Sequence, residues 1–253
     1  INHHRCHSDF AYYSSNFDNS IVITADCQGE FESMTCSYYT KSKAYKPTIF
    51  YSQDHPHSIG NLYATFTEFL GFRRNCDEWK VMALGAYASK DNVDIATNRI
   101  KKVYKVNKSS LAELNGTSDL FLELDLTFFQ DYYKSKPNTY TEKLKSLFEM
   151  PKDISPMEWR YAIAAALQIA SEEIMDNFIY SAKQLIKTDN LCLGGGFFMN
   201  SLYNGKIVKN HSLSPTPLNI SYAPDDSGNA IGSAITGSLY QKNDLNINRN
   251  SLK

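Results

Sequence analysis

Apolar and polar positions along this chain set out short strands near the amino end and longer helices towards the carboxyl end. Ser20 to Asp26 reads Ser-Ile-Val-Ile-Thr-Ala-Asp, an apolar run that ends in an acid, and Ser33 to Thr40 is a second strand-like run. Gln28-Gly29-Glu30 lies between them, so the two runs are predicted to pair as a β-hairpin with a tight polar turn. From Asn61 to Leu70 the period lengthens. Leu62, Phe66, Phe69 and Leu70 share one side of a helix that His57-Ser58-Ile59-Gly60 opens and Gly71 closes. Residues 90 to 150 show only strand-like patches, at Ile100 to Val106 and Leu120 to Leu126, in a background rich in Asn, Ser and Lys.

Pro151 and Pro156 punctuate the pattern and suggest a sub-domain boundary near 150–157. Ser155-Pro156-Met157-Glu158 is a helix start signal, with Ser as the cap and Pro at the first helical position. A long helix is predicted from Pro156 to about Lys187, its Ala164, Ala165 and Ala166 allowing close packing against a sheet. Asn190 to Leu193 is a short buried strand, followed by Gly194-Gly195-Gly196 and then by Phe197-Phe198-Met199-Asn200-Ser201, which starts another helix. Ser221 to Ala234 repeats the theme of an acid at a loop and a glycine after it. The helix that follows carries Gly228, Ala230, Gly232 and Ala234.

Length and composition narrow the classes. A chain of 253 residues with 42% hydrophobic content can bury a core of one large or two small domains. The 26 basic and 27 acidic residues leave a formal net charge of -1, which argues against a general electrostatic grip on nucleic acid or an anionic membrane. Five scattered cysteines, Cys6, Cys27, Cys36, Cys76 and Cys192, form no CxxC pair, so a reducing cytoplasm is expected. No apolar run approaches the length of a membrane span. The chain begins at Ile1, with its densest chemistry in the first few residues, and is expected to be a piece of a longer protein.

That chemistry is His3-His4-Arg5-Cys6-His7, which holds three of the six histidines. His3 and His7 are one helical turn apart, so a helix would stack both imidazoles on one face and point His4 and Cys6 elsewhere. A divalent metal needs at least one more protein ligand. Asp226 is available as a third and Asp26 as a fourth, while the ordinary alternatives are a solvated histidine pair, a hairpin turn at Asp26 and a helix cap at Asp226. Asp26 and Gly29 stand where a phosphate or a metal can approach the backbone, and the three glycines at 194–196 can present bare N–H groups to a phosphate or simply make a tight turn. Lys80 heads a small-residue segment, where it is either near an anionic ligand or solvated.

Six stretches taken together resemble the O-carbamoyltransferases of the nodulation and antibiotic-tailoring type. They are His3 to His7, Asp26-Cys27-Gln28-Gly29-Glu30, Pro56-His57-Ser58-Ile59-Gly60, Glu78 to Leu84, Gly195-Gly196-Phe197-Phe198-Met199-Asn200 and Asp226-Ser227-Gly228. The resemblance implies an α/β, actin-like ATPase (ribonuclease H-like) fold with mixed sheets flanked by helices, akin to the tRNA threonylcarbamoyl-transfer subunits. It also implies a divalent metal, iron, on His3, His7, Asp26 and Asp226, with His3, His7 and Asp226 serving catalysis. Nucleotide or carbamoyl-adenylate contacts are carried over to Gly196 and Asn200, with Gly195 and Gly228 shaping the loops. The implied reaction makes carbamoyl-adenylate from carbamoyl phosphate and ATP, then passes the carbamoyl group to a hydroxyl of a sugar, antibiotic or related metabolite.

Two departures accompany the resemblance. The family's upstream segment and its downstream adenylate-forming domain are absent from this sequence, so the chain alone is expected to be inactive or to bind only nucleotide and metal. Phe-Phe-Met also stands where Val-Ala-Leu is common after the glycines. Two other readings share the fold. Threonylcarbamoyl transfer to tRNA lacks the basic surface that RNA requires, and a sugar kinase or non-catalytic ATP-binding regulator would not need His3 and His7.

Overall fold

The computed structural model describes residues 1–43, 46–114, 119–130, 138–209 and 217–250, with backbone alone at 43 and 242–250. In chain order these form α1 (His3–Tyr13), β1 (Asn19–Ala25), β2 (Glu32–Thr40), β3 (Thr48–Asp54), α2 (Ile59–Phe69), α3 (Glu78–Leu84), α4 (Lys90–Ile100), β4 (Tyr104–Val106) and α5 (Leu111–Leu114). There follow β5 (Leu122–Leu124), α6 (Glu142–Leu147), α7 (Pro156–Leu185), β6 (Leu191–Gly194), α8 (Ser201–Lys209), β7 (Leu218–Ile220) and α9 (Asp226–Asn250). Two compact units result, one of Ile1–His55, Ser109–Asp119 and Ile179–Lys253, the other of Pro56–Lys108 and Leu120–Phe178. Residues 150–157 lie inside the second. No helix among the described residues is long and apolar enough to cross a membrane.

The first unit is built on a five-stranded mixed sheet in the order β3-β2-β1-β6-β7. β1 pairs antiparallel with β2 in an unbroken register from Asn19↔Thr40 to Ala25↔Met34, and parallel with β6 from Ile21↔Leu191 to Thr24↔Gly194. Every residue of β1 after Asn19 is buried, the continuous pattern of a central strand rather than of one face turned to water. The hairpin predicted from the sequence forms, but its connection is residues 26–31 and not a tight turn. Asp26 N–H still reaches the Ser33 carbonyl at 2.9 Å, and Glu30 leaves the ladder to accept from the His3 backbone N–H at 2.8 Å. The loop is longer because it also holds the start of α1.

α1 lies on the sheet and buries Cys6, Phe10, Ala11 and Tyr12, with Ala11 and Tyr12 meeting Val22, Tyr39 and Cys192 in one apolar cluster. α9 packs on α1. A side-chain carbon at Gly232 would run into the Cys6 backbone carbonyl, and one at Gly228 into the Ala223 carbonyl and the Phe10 ring. These glycines stand one turn apart and let the two helices approach as larger residues would not. Gly232→Val is expected to destabilise the chain by about 3 kcal/mol through overpacking. Gly205→Ala, where nothing lies within 4 Å inside α8, should instead stabilise it by up to about 1 kcal/mol. Urea unfolding of both variants checks the contrast.

In the second unit, Phe66, Phe69, Tyr140 and Phe148 form an edge-to-face cluster, and the Trp159 indole donates to the Phe148 carbonyl at 2.8 Å. α7 begins with the reciprocal cap expected of Ser155 and Glu158, each backbone N–H donating to the other's side chain. The close approach that its alanines allow is made to Gly85, where a side-chain carbon would stand 3.0 Å from the Ala165 backbone. The strand patch expected over Ile100–Val106 is shorter. Ile100 ends α4 and only Tyr104–Val106 pairs with β5, because α4 buries just Ala96 and Ile100 and so leaves almost no helical period to read. Lys80 forms an ion pair with Asp77 at 2.8 Å, on the surface of α3.

Candidate metal centre

Four predicted residues come together in the first unit. Asn2 caps α1, accepting from the Arg5 N–H at 2.8 Å, and so places His3 in the first turn and His7 one turn on. Asp26 follows the last residue of β1, and Asp226 opens α9. One donor atom from each of His3, His7, Asp26 and Asp226 lies within 4.8 Å of all the others. His7 Nε2 is 3.0 Å from Asp26 Oδ2, 3.1 Å from His3 Nε2 and 3.5 Å from Asp226 Oδ1. His3 Nε2 is 3.4 Å from each carboxylate.

These spacings test whether a cation fits. With bonds of about 2.1 Å, neighbouring ligands lie about 3.0 Å apart at a right angle and about 3.4 Å at a tetrahedral angle. The five edges that involve an imidazole, from 3.0 to 3.5 Å, lie close to those values. The donor set of imidazole nitrogens and carboxylate oxygens suits a borderline divalent ion. Without one, two imidazole nitrogens face each other between two carboxylates, and protons must do the work of holding them.

The electrostatics follow from that crowding. Burial opposes a charge on Asp26, but hydrogen bonds from His3 and His7 outweigh it and hold its carboxyl well below the usual range. Burial likewise opposes a charge on His7, and the hydrogen bonds to Asp226 and then Asp26 overcome it, so its pKa is raised. Asp26 is further fixed by backbone N–H groups of Cys27, at 2.6 Å to Oδ1, and of Gly196, at 3.2 Å to Oδ2. The Asp226 side chain is 77% exposed, so the centre has a side open to solvent.

His4 points away, as its place on the helix requires. Its Nδ1 lies 2.7 Å from Thr24 Oγ1 and its Nε2 2.9 Å from the Glu32 carbonyl. Burial first, and then the nearby His3, lower its pKa to about 4, which leaves it a neutral tie between α1 and the hairpin. Cys6 Sγ meets Ser233 Oγ at 3.3 Å on α9.

The residues expected near a nucleotide have various placements. A side-chain carbon at Gly29 would stand 2.9 Å from the His4 ring and 3.1 Å from His3, so its bare backbone makes room for the histidines. Gly195 has φ +95° and lies against the Ala25 backbone, a left-handed position that favours glycine. The Gly196 N–H serves Asp26, and Gly228 packs on Phe10. Asn200 is buried and caps α8, its Oδ1 accepting from the Tyr203 N–H at 3.0 Å.

Two groups escaped the sequence reading. Asn229 brings its carboxamide nitrogen to 3.2 Å from both His3 Nδ1 and His7 Nε2. It stands three residues after Asp226, and that helical spacing was the available signal. Asp9, fully buried, accepts from Arg5 Nε at 2.8 Å, the Tyr39 hydroxyl at 2.6 Å and the Thr236 hydroxyl at 2.7 Å. Nothing in its sequence neighbourhood announces those partners beyond Arg5, one turn back.

The family model described as Carbamoyltransferase N-terminus matches residues 1–235. This chain therefore belongs to the carbamoyltransferase family, in its N-terminal region. It is 28% identical over 237 residues to an uncharacterised protein of Synechocystis sp., covering 92% of this chain and 35% of that one. It is 24% identical to nodulation protein NolNO of Sinorhizobium fredii, over 93% of this chain and 30% of the relative. To nodulation protein NolO of Bradyrhizobium diazoefficiens it is 25% identical, over 93% and 38%. The chain thus spans about a third of the length of these curated relatives. A crystal structure of T. kodakarensis HypF aligns with 96% of this chain and 37% of its own at 17% identity, with a TM-score of 0.43, a likeness too slight to carry an argument.

Proposed function

We propose that this chain is the metal- and nucleotide-binding part of an O-carbamoyltransferase, which passes a carbamoyl group from carbamoyl-adenylate to a hydroxyl of a sugar, antibiotic or related metabolite. The observation that carries the reading is the convergence of His3, His7, Asp26 and Asp226 at coordination spacing in a chain of this family. The sheet order, three antiparallel strands continued by two parallel ones, supports an actin-like ATPase architecture for the first unit. In this reading ATP and carbamoyl phosphate are substrates, and an adenylate-forming domain lies downstream in the whole protein.

The chemistry asks for three displacements. Water displaces phosphate from carbamoyl phosphate to leave carbamate, a carbamate oxygen displaces pyrophosphate from the ATP α-phosphorus to give carbamoyl-adenylate, and the acceptor hydroxyl then displaces AMP from the carbamoyl carbon and gives up its proton. A bound divalent ion, iron in this reading, supplies charge that neutralises phosphate oxygens and polarises the acyl phosphate. His3, His7, Asp26 and Asp226 would hold it. The backbone N–H groups of Cys27 and Gly196 keep Asp26 aimed into the centre, and the exposed side near Asp226 gives an anionic substrate its approach.

Incubating the full-length protein with ATP, radiolabelled carbamoyl phosphate, ferrous iron and a panel of sugars should release AMP and pyrophosphate and move label onto a hydroxyl compound. Asp226→Ala should lower that transfer by about a hundredfold or more, the scale of a lost electrostatic stabiliser. Release of ADP with a phosphorylated sugar would show a kinase and defeat the reading.

A further inference from the structure

We propose that Asn229 is a positioning residue which fixes the tautomer of His3 when the cation is bound, its carboxamide oxygen accepting a hydrogen bond from His3 Nδ1–H. The inference rests on the metal reading above. His3 turns its Nε2 to the centre, 3.1 Å from His7 Nε2 and 3.4 Å from both carboxylates. A neutral imidazole that gives one nitrogen's lone pair to a cation carries its proton on the other. His3 Nδ1 is then a donor, and it needs an acceptor.

The group facing it is Asn229, at 3.2 Å, and the atom it presents is Nδ2, itself a donor. The same nitrogen lies 3.2 Å from His7 Nε2, whose lone pair the cation also claims. Meanwhile Asn229 Oδ1 is buried with no hydrogen-bond partner among the described residues. The two arms of a carboxamide exchange by a turn of about 180°, and the surrounding network decides which is which. Against an imidazole nitrogen that keeps its lone pair, the amide nitrogen is the fitting arm. In the loaded centre the oxygen must replace it. α9 thus supplies both a ligand, Asp226, and one turn later the group that orients another ligand.

The turned amide leaves its nitrogen where the orphan oxygen now lies, whereas Asp at 229 accepts without any N–H to strand. Zinc, being diamagnetic, is the probe, titrated into the full chain carrying isotope-labelled histidine. The wild type should show a slowly exchanging His3 Nδ1 proton by NMR once loaded. Asn229→Ala should lose that signal and bind zinc about tenfold more weakly, the scale of a lost outer partner. Asn229→Asp should keep the signal and bind at least as tightly as the wild type. Unchanged affinity and a retained signal in Asn229→Ala overturn the proposal. So does weakened binding in a folded Asn229→Asp, which would mean that the amide's N–H is what the site uses. A wild-type chain that takes up no zinc defeats the metal reading itself, and this one with it.

Discussion

His7→Ala is expected to abolish stoichiometric uptake of a divalent ion, weakening it by more than the ten- to hundredfold, roughly, that losing an outer partner costs. His7 is 1% exposed and its Nε2 lies within 3.5 Å of all three other donors, so its loss takes away the donor that the rest of the set surrounds. His3→Ala should behave alike. Elemental analysis of the purified chain and titration calorimetry with ferrous or zinc ion supply the measurement. Uptake unchanged in both variants would remove the centre from the account.

The same binding has a dependence on pH whose sign is fixed. Both imidazoles must be unprotonated at Nε2 to ligate, and in the metal-free chain the carboxylates raise the pKa of His7, so loading displaces a proton. Affinity should therefore fall as pH falls through that raised value and recover above it. At a free ion concentration of about 100 times Kd, the ion should stabilise the fold by about 2.7 kcal/mol, lost again on adding a chelator.

Asp9→Ala is expected to cost about 3 kcal/mol of folding stability, at the lower end of what removing one partner of a buried ion pair costs because Arg5 keeps some solvent. The substitution strips Arg5, Tyr39 and Thr236 of a shared acceptor, and Tyr39 and Thr236 are fully buried. Burial, followed by the charge of Asp9, already holds the Tyr39 hydroxyl protonated far above its ordinary range, so its proton is there to donate to Asp9. Asp9→Asn should cost less, since it keeps one acceptor. A urea midpoint for Asp9→Ala equal to that of the wild type would show that α1, the sheet and α9 are held by other means.

Sequence alone determined what depends on near neighbours. The hairpin of β1 and β2, the capped start of α7 and the stacking of His3 over His7 follow from strand period, capping chemistry and helical rise, all within a few residues. The family's motifs went further and named Asp26 and Asp226. What they could not convey was why those acids arrive. Asp226 reaches His7 because Gly228 and Gly232 let α9 settle on α1, and Asp26 is aimed by an N–H from a glycine loop far along the chain.

Tertiary structure alone decided the use of polar groups whose partners are remote in sequence. The glycines at 194–196 leave a phosphate contact and a tight turn both open in the sequence, and it is packing that sets Gly195 against the end of β1 and turns the Gly196 N–H to Asp26. Asp9 became a buried hub only when β2 and α9 brought Tyr39 and Thr236 to it, and Asn229 mattered only beside His3. Periodicity records which face of an element is buried. It carries no information about which element will cover that face, and the hydrogen bonds made there are settled by packing.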